Sequence, residues 1–220
     1  MQKNKMRRPY RWEECYAKLV LEHVFSDQFY QLELADKPDL QSINGDVGIE
    51  VTTAVHRNEK EKDHLFSLLI DNQNTPEQIS KNKERIRQLG GLFRDEGVMI
   101  SWVGYRDLTR IYTALDRKLK KLNDGGYRRF SDQCLFITDT NMVKIEELND
   151  IDSELRRHQD FFDTQFDSIF LYLFGGSLIQ FDMQSSEVQY RRVDNFVELA
   201  EKAFMLTSRE YSQGNNEKQL

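Results

Sequence analysis

Apolar positions along this chain switch between a helical and an extended period, and the switches divide it into alternating helices and strands. Trp12, Tyr16, Leu19, Val20, His23 and Val24 recur at three- and four-residue intervals, which predicts a helix over about 11–29. Over 46–55 the period falls to two: Ile49, Val51, Thr53 and Val55 share one face, Glu50, Thr52 and Ala54 the other. The β-branched content of this stretch favours a strand. A helix is expected over 59–71. A second begins at Thr75-Pro76-Glu77, with Thr as N-cap and Pro in the first position, and ends at Gly90-Gly91. Residues 98–103 read as a strand. Leu108, Ile111, Tyr112, Leu115, Leu119 and Leu122 mark an amphipathic helix over 107–122, closed by Asn123-Asp124-Gly125-Gly126. A buried-type strand at 134–138, a helix over 143–162, strands at 168–174, 177–183 and 187–193, and a helix over 195–211 complete the pattern. With no Pro/Gly/Ser linker and no repeat, this predicts one α/β domain over 10–211. It lies between a flexible basic N-terminus at 1–9 and a disordered polar tail at 212–220.

Composition narrows the function classes. The 220 residues carry a net charge of −6, which argues against a protein that binds nucleic acid through bulk charge but leaves room for a local basic groove. Basic residues cluster at 81–87, 117–121 and Arg128-Arg129; as charge runs alone these are solvated helix faces. Cys15 and Cys134 lie in apolar segments, as reduced core residues of a cytoplasmic protein do, and argue against a cysteine-based zinc centre. No run of 18 apolar residues predicts a membrane span, and no apolar stretch follows the basic N-terminus as in a secretory signal. The histidines have no metal-ligand spacing, and His23 is expected in the core. Phe161, Phe162, Phe166, Phe170, Tyr172, Phe174 and Phe181 are expected to fill a core. Tyr127, beside Arg128 and Arg129, is a candidate nucleic-acid contact.

The candidate chemistry lies in one stretch. Asp39 follows Pro38, and Glu50 comes 11 positions later inside the alternating strand. On a strand Glu50 and Thr52 point the same way, and Asp39 on a neighbouring strand reaches the same place. Two carboxylates suffice for Mg²⁺, which prefers oxygen ligands and keeps several waters. A cation there would polarise a phosphodiester and activate water. A third acid is expected from the first helix: relative to Tyr16, Glu13 falls about 60° away and Glu14 about 160°. Glu13 is therefore the better candidate, and Glu14 is expected to face solvent.

Pro38-Asp39-Leu40 followed by Gly48-Ile49-Glu50-Val51-Thr52 resembles the PD-(D/E)XK nuclease-like superfamily, in particular a bacterial subgroup reading G-I-E-V-T. The resemblance spans about 10–140, and takes in Leu115-Asp116-Arg117-Lys118-Leu119-Lys120-Lys121, Tyr127 and Leu135-Phe136-Ile137. It implies a restriction-endonuclease-like mixed sheet flanked by helices, and Mg²⁺- or Mn²⁺-dependent hydrolysis of phosphodiester bonds, in DNA. Asp39 and Glu50 match the family's metal-binding acids, the Val51 carbonyl a further ligand, and Glu13 the helix acid. Thr52 stands where the family has Lys. Such a charge contributes on the order of 2–4 kcal/mol to the transition state in a water-excluded site. Lys118, about 60° from Leu115 on its helix, is the candidate replacement, although a lysine at such an edge ordinarily lays its stem on the core and its charge in water. Lys60 and Lys62 are alternatives. Two functions stay open: a Mg²⁺-dependent nuclease, with Thr52 positioning water, or an inactive nuclease-fold module that binds nucleic acid or a protein partner. A homodimer and an accessory-subunit role are open as well. In an unrelated α/β domain, Asp39 would cap a turn and Glu50 would pair with a surface Arg.

Overall fold

A computed structural model describes residues 11–54, 61–62, 65, 68–69, 75–89, 92–93, 99–100, 108–125, 127–140, 143–173 and 175–216. The expected helix over 59–71 and the strand over 98–103 lie largely outside these residues, as do the basic N-terminus, Lys60 and Phe174.

Three short antiparallel strands open the sheet: β1 (Leu32–Leu34), β2 (Leu40–Ser42) and β3 (Val47–Thr53). They follow helix α1 (Trp12–Val24). Helix α2 (Pro76–Gln88) starts at the expected Thr75 cap, whose side chain accepts from the Gln78 N–H. A separate two-stranded ribbon pairs β4 (Leu92–Phe93) with β5 (Met99–Ile100). Helix α3 (Thr109–Asn123) then leads into β6 (Asp132–Asp139), and a 3₁₀ turn with α4 (Leu148–Gln159) leads into β7 (Ser168–Leu173). Strands β8 (Ser177–Asp182) and β9 (Val188–Arg192) and helix α5 (Phe196–Asn216) end the fold.

The main sheet has seven strands in the order β1-β2-β3-β6-β7-β8-β9. β3, β6 and β7 run parallel, and antiparallel strands extend the sheet on both sides. This is an α/β architecture, as the element pattern predicts, with a mixed sheet flanked by helices. A parallel pair needs a crossover, and helices supply it, so the central strands are covered on both faces. One core joins Cys15, Ala17 and Leu21 of α1 and Leu199 and Ala203 of α5 to Ile49, Val51 and Phe136. The other joins Ile111, Leu115 and Leu119 of α3 and Ile151 and Leu155 of α4 to Leu135, Ile137 and Ile169. β3 is thus buried on both faces between layers of helix.

Local differences from the sequence pattern have identifiable causes. α1 ends at Val24, where the chain turns into β1. His23 is exposed in the last turn of α1, although the next residue, Val24, packs against the core. Of the expected core aromatics, Phe166, Phe170, Tyr172 and Phe181 are buried, but Phe161 stands outside, 79 % exposed, in the turn after α4. α5 runs on to Asn216, past the expected start of the polar tail; once nucleated, a helix continues at the gain of one hydrogen bond per residue. Both cysteines are free and buried. No helix among the described residues is long and apolar enough to cross a membrane.

Candidate functional site

The β2–β3 ladder brings the two acids together. Leu40 faces Ile49 in this antiparallel pair, so one step further Asp39 comes alongside Glu50. The Asp39 carboxylate completes the approach by accepting from the Val51 N–H at 2.8 Å. The carbonyl of a strand residue leaves on the same side as its N–H, so the Val51 carbonyl also faces Asp39. A residue ahead of proline favours an extended backbone, but Lys37 turns at φ 65°. Gly48 is required where it stands: a Cβ there would lie 2.5 Å from the Phe130 ring and 2.8 Å from Pro38. The glycine of the Gly-Ile-Glu-Val-Thr run thus lets Pro38, and with it Asp39, close on β3.

Alternation along β3 does what its period predicts. Ile49 and Val51 enter the α1/α5 core, and Glu50 and Thr52 point to α3. There Lys118, only 7 % exposed, donates to Glu50 Oε2 and stands 3.5 Å from Asp39 Oδ2. One ammonium therefore serves both carboxylates. This overturns the expectation that Lys118 would carry its charge into water. The reason is its neighbours: Lys118 follows Arg117 on the turn of α3 that lies over β3, where two buried carboxylates stabilise a cation that solvent would otherwise hold. Tyr127 is half-buried and lines the same cleft, near enough to Glu50 to pull its carboxyl pKa down, where the sequence suggests an exposed contact. Burial, and next the charge of Asp39, push the Glu50 carboxyl above the ordinary glutamate range, against the pull of Lys118 and Tyr127. Burial and the neighbouring Glu50 push the Tyr127 hydroxyl up as well.

These groups open on a cleft of about 470 Å³, lined by Arg11, Lys37, Asp39, Glu50, Lys118 and Tyr127 among others. A smaller recess of about 200 Å³ shares Arg11, Lys118 and Lys121 with it and is walled by Glu13, Glu14, Thr52 and Arg117. Thr52 Oγ1 accepts from Arg117 at 2.6 Å, so its hydroxyl is engaged by a guanidinium. Lys62 is buried, but lines neither recess. A larger cavity of about 800 Å³, between the 3₁₀ turn and β7–β9, shares no lining residue with this cleft.

Of the two acids in the first turn of α1, the more buried is the one expected to face solvent. Glu14 is 3 % exposed, while Glu13 is half-buried. α1 packs on two sides. Trp12 and Tyr16 reach α5, where Trp12 Nε1 donates to the Ala200 carbonyl at 3.3 Å and the Tyr16 hydroxyl to that of Phe196 at 3.4 Å. The sheet side is formed by small and aliphatic positions, Ala17 and Leu21, which follow Glu14 by three and seven residues. Phasing on the aromatics alone measures the wrong face. The Glu14-Ala17-Leu21 stripe is the sequence signal that finds it. Glu14 also accepts from the Arg11 N–H at the helix start, at 3.3 Å. Neither Glu13 nor Glu14 joins Asp39 and Glu50: among the described residues no three of His, Cys, Asp and Glu gather into a cation-binding group.

The site is thus a pair of carboxylates on adjacent strands, a backbone carbonyl beside them and a buried ammonium across from them. Two carboxylates and a carbonyl form a hard-oxygen donor set of the kind Mg²⁺ accepts when water completes its shell. Comparison of the chain with protein-family models, with curated proteins and with solved structures returned no match.

Proposed function

We propose that this protein is a metal-assisted phosphodiester hydrolase acting on DNA, built on a PD-(D/E)XK-like core. The observation that carries the reading is Lys118: the positive charge missing at position 52 reaches the same two carboxylates from α3. The order of α1, the β1–β3 meander, α3 and the parallel β6 is compatible with that core.

Asp39 and Glu50, with the Val51 carbonyl, would hold the Mg²⁺ or Mn²⁺. Such an ion supplies polarisation of the phosphodiester and lowers the pKa of a nearby water. The remaining roles belong to the chain. Lys118 has three N–H donors and no acceptor. It can turn from Glu50 to a phosphate oxygen or to the attacking water while keeping its stem in the α3 core. The Val51 N–H holds the Asp39 carboxylate in one orientation, so little reorganisation accompanies binding.

The same contact supports a second reading. A buried Lys118 that neutralises Glu50 is also what a nuclease-like fold retains once catalysis is lost. Cleavage of supercoiled plasmid in Mg²⁺ separates the two. The hydrolase reading expects nicking by the wild type and its loss, by 100-fold or more as an order of magnitude, in both Glu50→Ala and Lys118→Ala. Wild-type protein that leaves the plasmid intact, or Glu50→Ala protein that cuts it equally well, would overturn the reading.

A further inference from the structure

We propose that Arg117 and Lys121 form a phosphate clamp for a nucleic-acid backbone along the rim of the cleft, with Thr52 as the positioning residue that holds Arg117 in place. The inference rests on the reading above for its ligand, and its geometry stands independently. Arg117 and Lys121 are four residues apart on α3, hence on one face, and both border the recess over the end of β3. Among the described residues neither forms an ion pair, whereas Lys118 is taken by Glu50 and Asp39. The recess also contains Glu13 and Glu14, and Arg11 lies within reach of Glu14, Nε to Oε1 3.8 Å. Of the cations lining the recess, the two on α3 are those without an ion pair among the described residues.

Thr52 defines where one of them sits. An exposed arginine samples many rotamers, and fixing it costs entropy. The hydrogen bond from Arg117 Nη2 to the Thr52 hydroxyl, 2.6 Å long, ties the guanidinium to a buried residue of β3. That bond uses one of five N–H donors in a planar fork; the others match the oxygens of a phosphate diester. The residue that replaces the expected lysine thus recruits a different cation to the same end of β3. Nucleic acid is favoured over an acidic peptide because a fork with its neighbour one helical turn away suits regularly spaced phosphates, next to the carboxylate pair on which a diester would be cut.

The test is fluorescence anisotropy of the full chain with short labelled DNA and RNA strands and duplexes, in EDTA, over a salt series. EDTA removes any contribution of a bound cation, so the result does not depend on cleavage. Arg117→Ala should weaken binding about ten-fold, the loss of one charge-assisted contact. Arg117→Ala/Lys121→Ala should also lower the slope of log affinity against log salt by about two. Arg157→Ala, on α4, should change neither. Thr52→Val should weaken binding and Thr52→Ser restore it. If the wild type cleaves DNA, Arg117→Ala should raise KM more than it lowers kcat. The clamp is overturned by wild-type protein that binds no strand, by an Arg117→Ala variant of unchanged affinity and melting temperature, by Thr52→Val that binds as wild type, or by a polyglutamate peptide that competes as well as DNA of equal charge. Failure of plasmid cleavage with these binding effects intact would defeat the hydrolase reading and leave the clamp standing.

Discussion

The side chains on both faces of β3 are buried, yet the faces are built from opposite chemistry. On one, Ile49 and Val51 meet Ala17, Leu21 and other apolar side chains of the α1/α5 core. On the other, Glu50 and Thr52 meet Lys118 and Arg117 of α3. The apolar face stabilises by removing surface from water, at about 25 cal/mol per Å². The charged face gains little that way: a buried ion pair is often no better than well-packed apolar residues of the same size, while breaking it is expensive. A strand that tolerates charges on one buried face, when the other shows that an apolar solution packs well, points to use of those charges.

Substitutions can break this comparison. The largest effect is expected from Lys118→Met, which leaves Glu50 and Asp39 facing each other without a cation. Urea denaturation should show a loss of about 3–5 kcal/mol. Glu50→Met/Lys118→Met should recover most of it, or exceed wild-type stability, while abolishing any cleavage. A double variant as unstable as the single one would mean that the pair is needed for folding. On the apolar face Ile49→Val should cost only about 0.5–1.5 kcal/mol and leave cleavage unchanged. A drop in cleavage with that small loss would show that the faces are coupled. The smallest effect sharpens the account of Glu50. Its carboxyl is raised in the fold, so between the ordinary glutamate value and the raised one the folded protein holds more protons than the unfolded chain. Its contribution to stability should therefore fall as pH rises through that window. Glu50→Gln should remove this component from the pH dependence of the melting temperature; identical slopes would contradict the raised value.

What was legible in the sequence follows the same division. Alternation at 49–53 assigned the two faces of β3 correctly, because period two is a local property. The Thr75 cap, the α3 stripe and the three late strands were legible for the same reason. The partners of the charged face were not. Lys118 meets Glu50 across 68 residues and Arg117 meets Thr52 across 65, and no local pattern says which edge of a helix will lie over which strand. Helix phasing placed Lys118 at the border of the apolar stripe, which was right, and the general behaviour of lysine then pointed it outward, which was not. Phasing favours Glu13 over Glu14 because the aromatic stripe is the louder signal on a helix that packs on two sides. Thr52, read as a lost lysine, holds an arginine instead.

The central claim is that Asp39 and Glu50 form a divalent-cation site opposite Lys118, and calorimetric titration with Mn²⁺ tests it most directly. The account predicts saturable binding to the folded wild-type protein, with binding abolished in Asp39→Asn and in Glu50→Gln variants that remain folded. Absence of binding to the wild type, or equal binding to either variant, would contradict it.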